Sequence, residues 1–230
     1  MTLLLFGLFF LFMLLGVPIA FAIGASTLYA LYQSGMPLMV VTQQMFQGIN
    51  SFALVAIPMF ILAGDLMAQG KVSEKLVSFA DSLVGFMRGG LSVVSVMAGM
   101  FFAAISGSGA ATTAAVGSSL VPELKRKGYD PASAASLIAA SGTIGVVIPP
   151  SVPMIIYAVI AQQSVSKLFL NGFLPGLAMG LGLMAIAIAQ AYKRQYPKGT
   201  PLSLATIWTT FKDASWGLMT PVIILGGIFS

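Results

Sequence analysis

The chain has 230 residues, 58% of them hydrophobic and 7% charged, with a mean hydropathy of +0.98. Its eleven basic and six acidic side chains cannot clothe a water-soluble globule, in which about a quarter of the residues are ordinarily charged, so an all-α polytopic membrane protein is the class indicated. The absence of Cys and His excludes a disulfide scaffold, thiolate chemistry, histidine-based zinc sites and any Ser–His dyad, and the net charge of +5, carried in loops, bears on orientation and not on nucleic-acid binding.

Leu3 to Tyr32 is almost uninterrupted apolar sequence. It lacks a basic n-region and far exceeds a signal h-region of about 7–15 residues, so an uncleaved, tilted first span is expected. Gly16, Ala20 and Gly24 offer a flat face for a neighbouring helix, and Pro18 is placed to bend the span. Residues 33–51 carry no charge but include Gln43, Gln44, Gln47 and Asn50, which suits an interfacial or protein-covered stretch. A second apolar segment runs from Phe52 to Met67, with Pro58 inside it and Asp65 near its end.

Between 71 and 88 the character changes. Lys71, Glu74, Lys75, Asp81 and Arg88 punctuate apolar positions, and Leu76, Ala80, Leu83 and Val84 share one helical face. The pattern predicts an amphipathic helix at the bilayer surface, with an ordinary connector helix as the alternative.

Residues 89–105 are apolar, Ser106-Gly107-Ser108-Gly109 interrupts them, and small residues resume from Ala110 to Val121. One helix over 89–121 would be overlong, while each arm alone is short for a span. A re-entrant hairpin with its tip at 106–109 fits these lengths better than a kinked span. A charged loop, Pro122 to Pro131, follows with Glu123, Lys125, Arg126, Lys127 and Asp130.

Helical pattern returns over Ala132 to Ile144. The run Gly142-Thr143-Ile144-Gly145-Val146-Val147-Ile148-Pro149-Pro150-Ser151-Val152-Pro153 cannot be regular helix throughout, because three prolines remove three backbone donors and push the residues before them toward extended conformation. A span unwound at its centre is expected, with helix again from Met154 to Ala161. A further span covers Leu168 to Ala191, where Gly172, Gly176 and Gly180 repeat at four-residue spacing and predict close packing on another helix.

Beyond the loop of Lys193, Arg194 and Lys198, Trp208 and Trp216 suit the headgroup level. Lys212 and Asp213 make the start of this last segment interfacial. Leu218 to Ser230 is apolar without a closing loop, as in a chain interrupted within a helix. If 132–161 and 168–191 each cross once, Lys125-Arg126-Lys127 and Lys193-Arg194-Lys198 lie on one side, which the positive-inside rule makes cytoplasmic.

Irregular backbone at membrane depth needs cover, but its freed carbonyls can ligate a bare cation, and half-helix N-termini direct partial positive charge at an anion. Ser106, Ser108, Thr112, Thr113 and Thr143 add hydroxyl oxygens, while Gly107, Gly109 and Gly145 admit close approach. A sodium site from the carbonyls of Gly145, Ile148 and Pro150 with the Ser106 region is chemically sensible. No acidic residue falls in 89–121 or 132–161, which favours weak sodium binding over tight calcium binding. Helix packing is the alternative reading of residues 106–113.

Three motifs together carry a specific resemblance: Phe102-Ala103-Ala104-Ile105-Ser106-Gly107-Ser108-Gly109-Ala110; Val121-Pro122-Glu123-Leu124-Lys125-Arg126-Lys127-Gly128-Tyr129-Asp130; and Ile144-Gly145-Val146-Val147-Ile148-Pro149-Pro150-Ser151-Val152-Pro153-Met154. With Ile57-Pro58-Met59-Phe60 and Gly64-Asp65-Leu66-Met67, the chain resembles the large membrane (permease) subunit of tripartite ATP-independent periplasmic (TRAP) transporters, the dicarboxylate and sialic-acid uptake family.

The resemblance implies a multi-pass protein of the bacterial inner membrane, built from inverted repeats with a re-entrant hairpin and a discontinuous helix, and working as an elevator. It implies sodium-coupled import of a small organic acid, with Na+ as the coupling ion and no other cofactor. The implied partners are a small four-helix membrane subunit and a periplasmic substrate-binding protein.

Carried over by motif, Ser106, Ser108, Gly109, Gly145, Ile148 and Pro150 form a first sodium site, and Thr112, Thr143 and Ser151 are candidates for the substrate cavity. Residues 1–70 are then mainly scaffold, 71–88 the surface helix, 89–166 the transport-domain hairpin and broken helix, and 167–230 a membrane helix, an interfacial arm and the start of a next repeat. Relatives run to roughly twice this length, so the chain is expected to cover the N-terminal half. Ala110-Ala111-Thr112 stands where many relatives have an acid just beyond the tip. A structural membrane subunit without transport activity of its own is the competing function; an enzyme or a channel fits less well.

Overall fold

The computed structural model describes residues 2–199 and 201–229; Met1, Thr200 and Ser230, which fall within the ranges assigned above, lie outside the described residues. Every named secondary-structure element among them is helical. The chain divides into two compact units, one up to Phe52 and one from Ala53 onward.

In the first unit, the expected single span over Leu3 to Tyr32 is instead two helices, α1 (Thr2–Leu14) and α2 (Ile19–Gln33), packed on each other. Gly16 turns left-handed at φ +79°. The Val17 N–H reaches back to the Phe12 carbonyl at 3.0 Å and the Gly16 N–H to Met13 at 3.0 Å, which closes α1 with a Schellman motif. Pro18, extended at ψ 140°, then opens α2. At 13 and 15 residues, either helix is shorter than a span of about 20 residues.

The small-residue face is also displaced. Ala22, Ser26 and Ala30 are the buried stripe, whereas Gly16 and Gly24 have open space at the Cβ position. The Ser26 hydroxyl, buried, donates to the Ala22 carbonyl at 2.7 Å. The glutamine-rich stretch is α3 (Met39–Ile49), with no buried residue.

The boundary between the units falls after the first residue of α4 (Phe52–Gln69), which keeps Pro58 inside it. α5 (Val72–Val84) is amphipathic, as its spacing predicts, but its apolar face is covered by protein. Leu76, Phe79 and Ala80 are buried in a cluster that includes Leu91, Phe102 and Ile105 of α6 (Gly90–Ser106), and Leu120 and Leu124 of α7 (Gly109–Arg126). The long last helix, α11 (Leu204–Phe229), lies along α5. Ser82 and Thr210 join the two through hydroxyls 2.9 Å apart, and Phe79 meets Phe211 at 5.7 Å between ring centroids. α5 thus connects and packs, leaving Glu74 and Lys75 exposed.

α6 and α7 form the expected hairpin and pack on each other. The predicted charged loop from Pro122 is shorter than expected, because α7 runs through Pro122 to Arg126. Leu124, fully buried, anchors that last turn, and Glu123 pairs with Arg126 at 2.5 Å and Lys127 at 3.7 Å. Asp130 caps α8 (Pro131–Thr143), accepting from the Ser133 N–H at 3.0 Å. A single 3-10 turn, Ile144–Val146, precedes the break, and α9 (Val152–Ile160) follows it.

α10 (Val165–Lys193) is the one unbroken described helix long and apolar enough to cross a membrane. α1, α2, α6 and the stretch Pro131–Val146 are apolar but shorter. α11 is one continuous helix through Lys212 and Asp213, with Pro221 inside it.

The loops after α7 and α10 meet at one end of this unit. Arg194 pairs with Asp130 at 3.0 Å, Tyr129 and Tyr196 stack at 4.1 Å between centroids, and the Gly89 N–H donates to Pro197 at 3.0 Å. The two basic loops therefore lie at the same end of this unit.

Candidate functional site

The hairpin ends because Gly107 leaves the helix left-handed at φ +61°. Ser108 is extended and starts α7, its Oγ accepting from the Ala111 N–H at 3.4 Å. Ser151 repeats this device at α9. It is extended, and its Oγ accepts from the Met154 N–H at 3.4 Å while donating to the Val146 carbonyl at 2.7 Å. Two helix C-termini (α6 and the 3-10 turn) and two N-termini (α7 and α9) therefore converge.

The tip and the break touch directly. The Val152 N–H donates to the Gly107 carbonyl at 3.1 Å, across 45 residues of sequence. A Cβ on Gly107 would lie 2.7 Å from the Pro150 carbonyl oxygen, and one on Gly109 would lie 2.9 Å from that of Gly142. Gly145 faces the Thr112 hydroxyl at 2.8 Å and the Ser108 carbonyl at 3.1 Å by the same measure. The glycines are thus the reason that the two irregular segments can interlock.

Around them lies a compact set of neutral oxygens. Ser106 and Thr112, both buried, hold their hydroxyls 2.9 Å apart. Ser108 presents its carbonyl to the Thr112 hydroxyl at 2.8 Å and to the Ser106 hydroxyl at 3.3 Å. Thr113 donates to the Gly109 carbonyl at 2.9 Å. Among the described residues no cluster of His, Cys, Asp or Glu is able to hold a metal ion. The set therefore consists of hydroxyl and backbone carbonyl oxygens.

Of the residues singled out in the sequence, Ser106, Ser108, Gly109, Gly145, Pro150, Thr112 and Ser151 come together here. Ile148 is buried but turns its side chain into a cluster with Val96, Ala103 and Ile144. Thr143 stands apart: it is exposed, and its hydroxyl donates to the Ala140 carbonyl at 2.7 Å.

Sequence reasoning missed the backing of the break. The glycine stripe of α10 packs on the unwound chain as well as on a helix. A Cβ on Gly172 would meet the Val147 carbonyl oxygen at 2.7 Å, and one on Gly176 would meet the Ile148 side chain at 2.5 Å. Gly180 rests on Met100 of α6. The four-residue spacing found the face but not its partner. A Cβ on Gly64 of α4 would likewise lie 3.5 Å from Ser106.

Residues 6–230 match the family described as Tripartite ATP-independent periplasmic transporter, DctM component. The chain belongs to this DctM family. It is 45% identical, over 98% of its length, to the isethionate TRAP transporter permease protein DctMQ of Oleidesulfovibrio alaskensis, of which it covers 36%. It is 37% identical over its full length to the C4-dicarboxylate TRAP transporter large permease protein DctM of Rhodobacter capsulatus, covering 56% of that protein. The sialic acid TRAP transporter permease protein SiaT of Haemophilus influenzae is 38% identical over 95% of the chain, which covers 36% of it. The chain thus spans between about a third and somewhat over half of these relatives' lengths. They are named transporter permeases and not enzymes, and DctM membership carries a membrane location with it.

Proposed function

We propose that this chain supplies the first re-entrant hairpin and broken helix of a sodium-coupled TRAP permease that imports a small organic anion across the bacterial inner membrane. The carrying observation is the hydrogen bond from Val152 N–H to the Gly107 carbonyl, which locks two irregular backbone segments into one oxygen-rich site. Carbonyls and hydroxyls without a carboxylate match a coupling ion that must bind and leave in every cycle. In this reading Ser106, Ser108, Gly109, Gly145, Ile148 and Pro150 hold Na+, and Thr112 and Ser151 border the substrate path, while Thr143, which stands apart, is left out of it. The N-termini of α7 and α9 provide partial positive charge for an anion.

The names of the relatives, with isethionate, C4-dicarboxylates and sialic acid as their substrates, support a small organic acid as the class. Partners in this reading are a small four-helix membrane subunit and a periplasmic substrate-binding protein. The fold is an inverted-repeat elevator of several spans, in which the hairpin and broken helix move against a scaffold.

The test is sodium-dependent uptake by the complete system in proteoliposomes. Ser106→Ala removes a hydroxyl at the centre of the set, and Pro150→Ala relaxes the break. Each should raise the sodium half-saturation about tenfold, equivalent to roughly 1.4 kcal/mol of lost ion binding. An unchanged half-saturation in both variants would rule out the assignment.

A further inference from the structure

Where the loops after α5 and α10 meet, the second unit has a cavity of about 530 Å³ lined by Phe86, Met87, Arg88, Ile188, Tyr192 and Lys198. Arg88 and Lys198 stand side by side in it, joined by an isolated antiparallel bridge. Three neighbouring cations are matched, Arg126 and Lys127 by Glu123 and Arg194 by Asp130. Arg88 and Lys198 have no such partner among the described residues. The Nε of Arg88 is moreover buried without a hydrogen bond, and a buried donor on a charged group is costly to leave unmatched.

We infer that this cavity is a headgroup site for an anionic glycerophospholipid, with its phosphate between Arg88 and Lys198. A free anion would find the same two cations, but the surroundings favour a lipid. The cavity opens at the end of α10, the helix of membrane-crossing length. Leu181 and Ile186 above it are more than half exposed, and Ile188 continues their apolar side into the cavity wall. Tyr192, 63% exposed at the rim, has the apolar ring and polar tip typical of the headgroup level. Basic pockets beside membrane helices are a common way to hold such headgroups. This inference rests on the membrane location and not on sodium coupling, so either can fail alone.

The test uses the full-length protein in phosphatidylcholine bilayers containing a minor fraction of phosphatidylglycerol, with spin-labelled forms of both lipids as probes. The wild type should immobilise phosphatidylglycerol in preference to phosphatidylcholine. Lys198→Gln, a change at an exposed position outside the packed core, should lower that preference about fivefold, the factor expected for one basic residue near an anionic surface. Arg88→Gln should do the same and Arg88→Lys restore part of it. If Arg88→Gln does not fold, Lys198→Gln decides. Lys125→Gln, at the same end but away from the cavity, should change nothing.

An equal loss with Lys125→Gln would mean diffuse surface attraction and overturn the site. So would an unaltered preference in Lys198→Gln, or displacement of the immobilised lipid by millimolar inorganic phosphate.

Discussion

Gly107 meets two constraints that a side chain would violate together. Its φ of +61° is a left-handed conformation, and its missing Cβ leaves room for the Pro150 carbonyl. Gly128 shares the first constraint, at φ +79°, but has nothing within 4 Å. Alanine at Gly128 should therefore cost only the backbone strain, about 1–2 kcal/mol. Alanine at Gly107 should cost more, because the break must also shift. Thermal unfolding of both variants, with uptake measured alongside, checks this order. Equal destabilisation would mean that the contact with Pro150 carries no weight.

Among the elements, α8 depends on one carboxylate. Hydrogen bonds from Ser133, its backbone N–H above all, and then Arg194 hold the Asp130 carboxyl below its ordinary value of 3.8. Its contribution is complete above that ordinary value and is lost as pH falls through the lower folded one. Amide exchange at Ser133 and Ala134 should consequently speed up under strong acid, and Asp130→Asn should remove the acid dependence. Tyr129, by contrast, has its phenol pushed up to about 12 by burial, against hydrogen bonds from Ser92 and the Leu91 backbone, so it stays neutral throughout.

The pairing of α5 with α11 is testable in a chain that has no natural cysteine. Ser82→Cys with Thr210→Cys should form a disulfide on mild oxidation, since the native hydroxyls lie 2.9 Å apart. Persistence of two free thiols would contradict that packing.

The hairpin tip and the break were legible in the sequence because Gly, Ser and Pro act locally on backbone conformation. Their mutual contact was legible only as chemistry, since nothing in the spacing joins Gly107 to Val152. The turn at Gly16 was misread because neighbouring Leu and Val hide a positive φ. The course of α7 through Pro122 was missed because the burial of Leu124 is a tertiary fact. The apolar face of α5 announced that it needed cover, but a pattern cannot distinguish lipid from α11.

At the scale of the molecule, burial of apolar groups means less in lipid than in water, so close packing and backbone satisfaction have to hold the bundle together. The stripe of Gly172, Gly176 and Gly180 is the clearest instance, pressing α10 onto Val147, Ile148 and Met100. The opposite side of α10 shows Leu170, Leu174, Leu177 and Leu181 to the surroundings, Leu174 at 78% exposure. A break so tightly backed has no freedom to move alone. Under the proposed function, any displacement of the interlocked tip and break takes α10 with it, and those leucines sweep through acyl chains. Membrane viscosity then becomes a brake on the cycle: uptake in proteoliposomes should slow as the bilayer is stiffened with longer, saturated lipids, while the sodium half-saturation stays where it was.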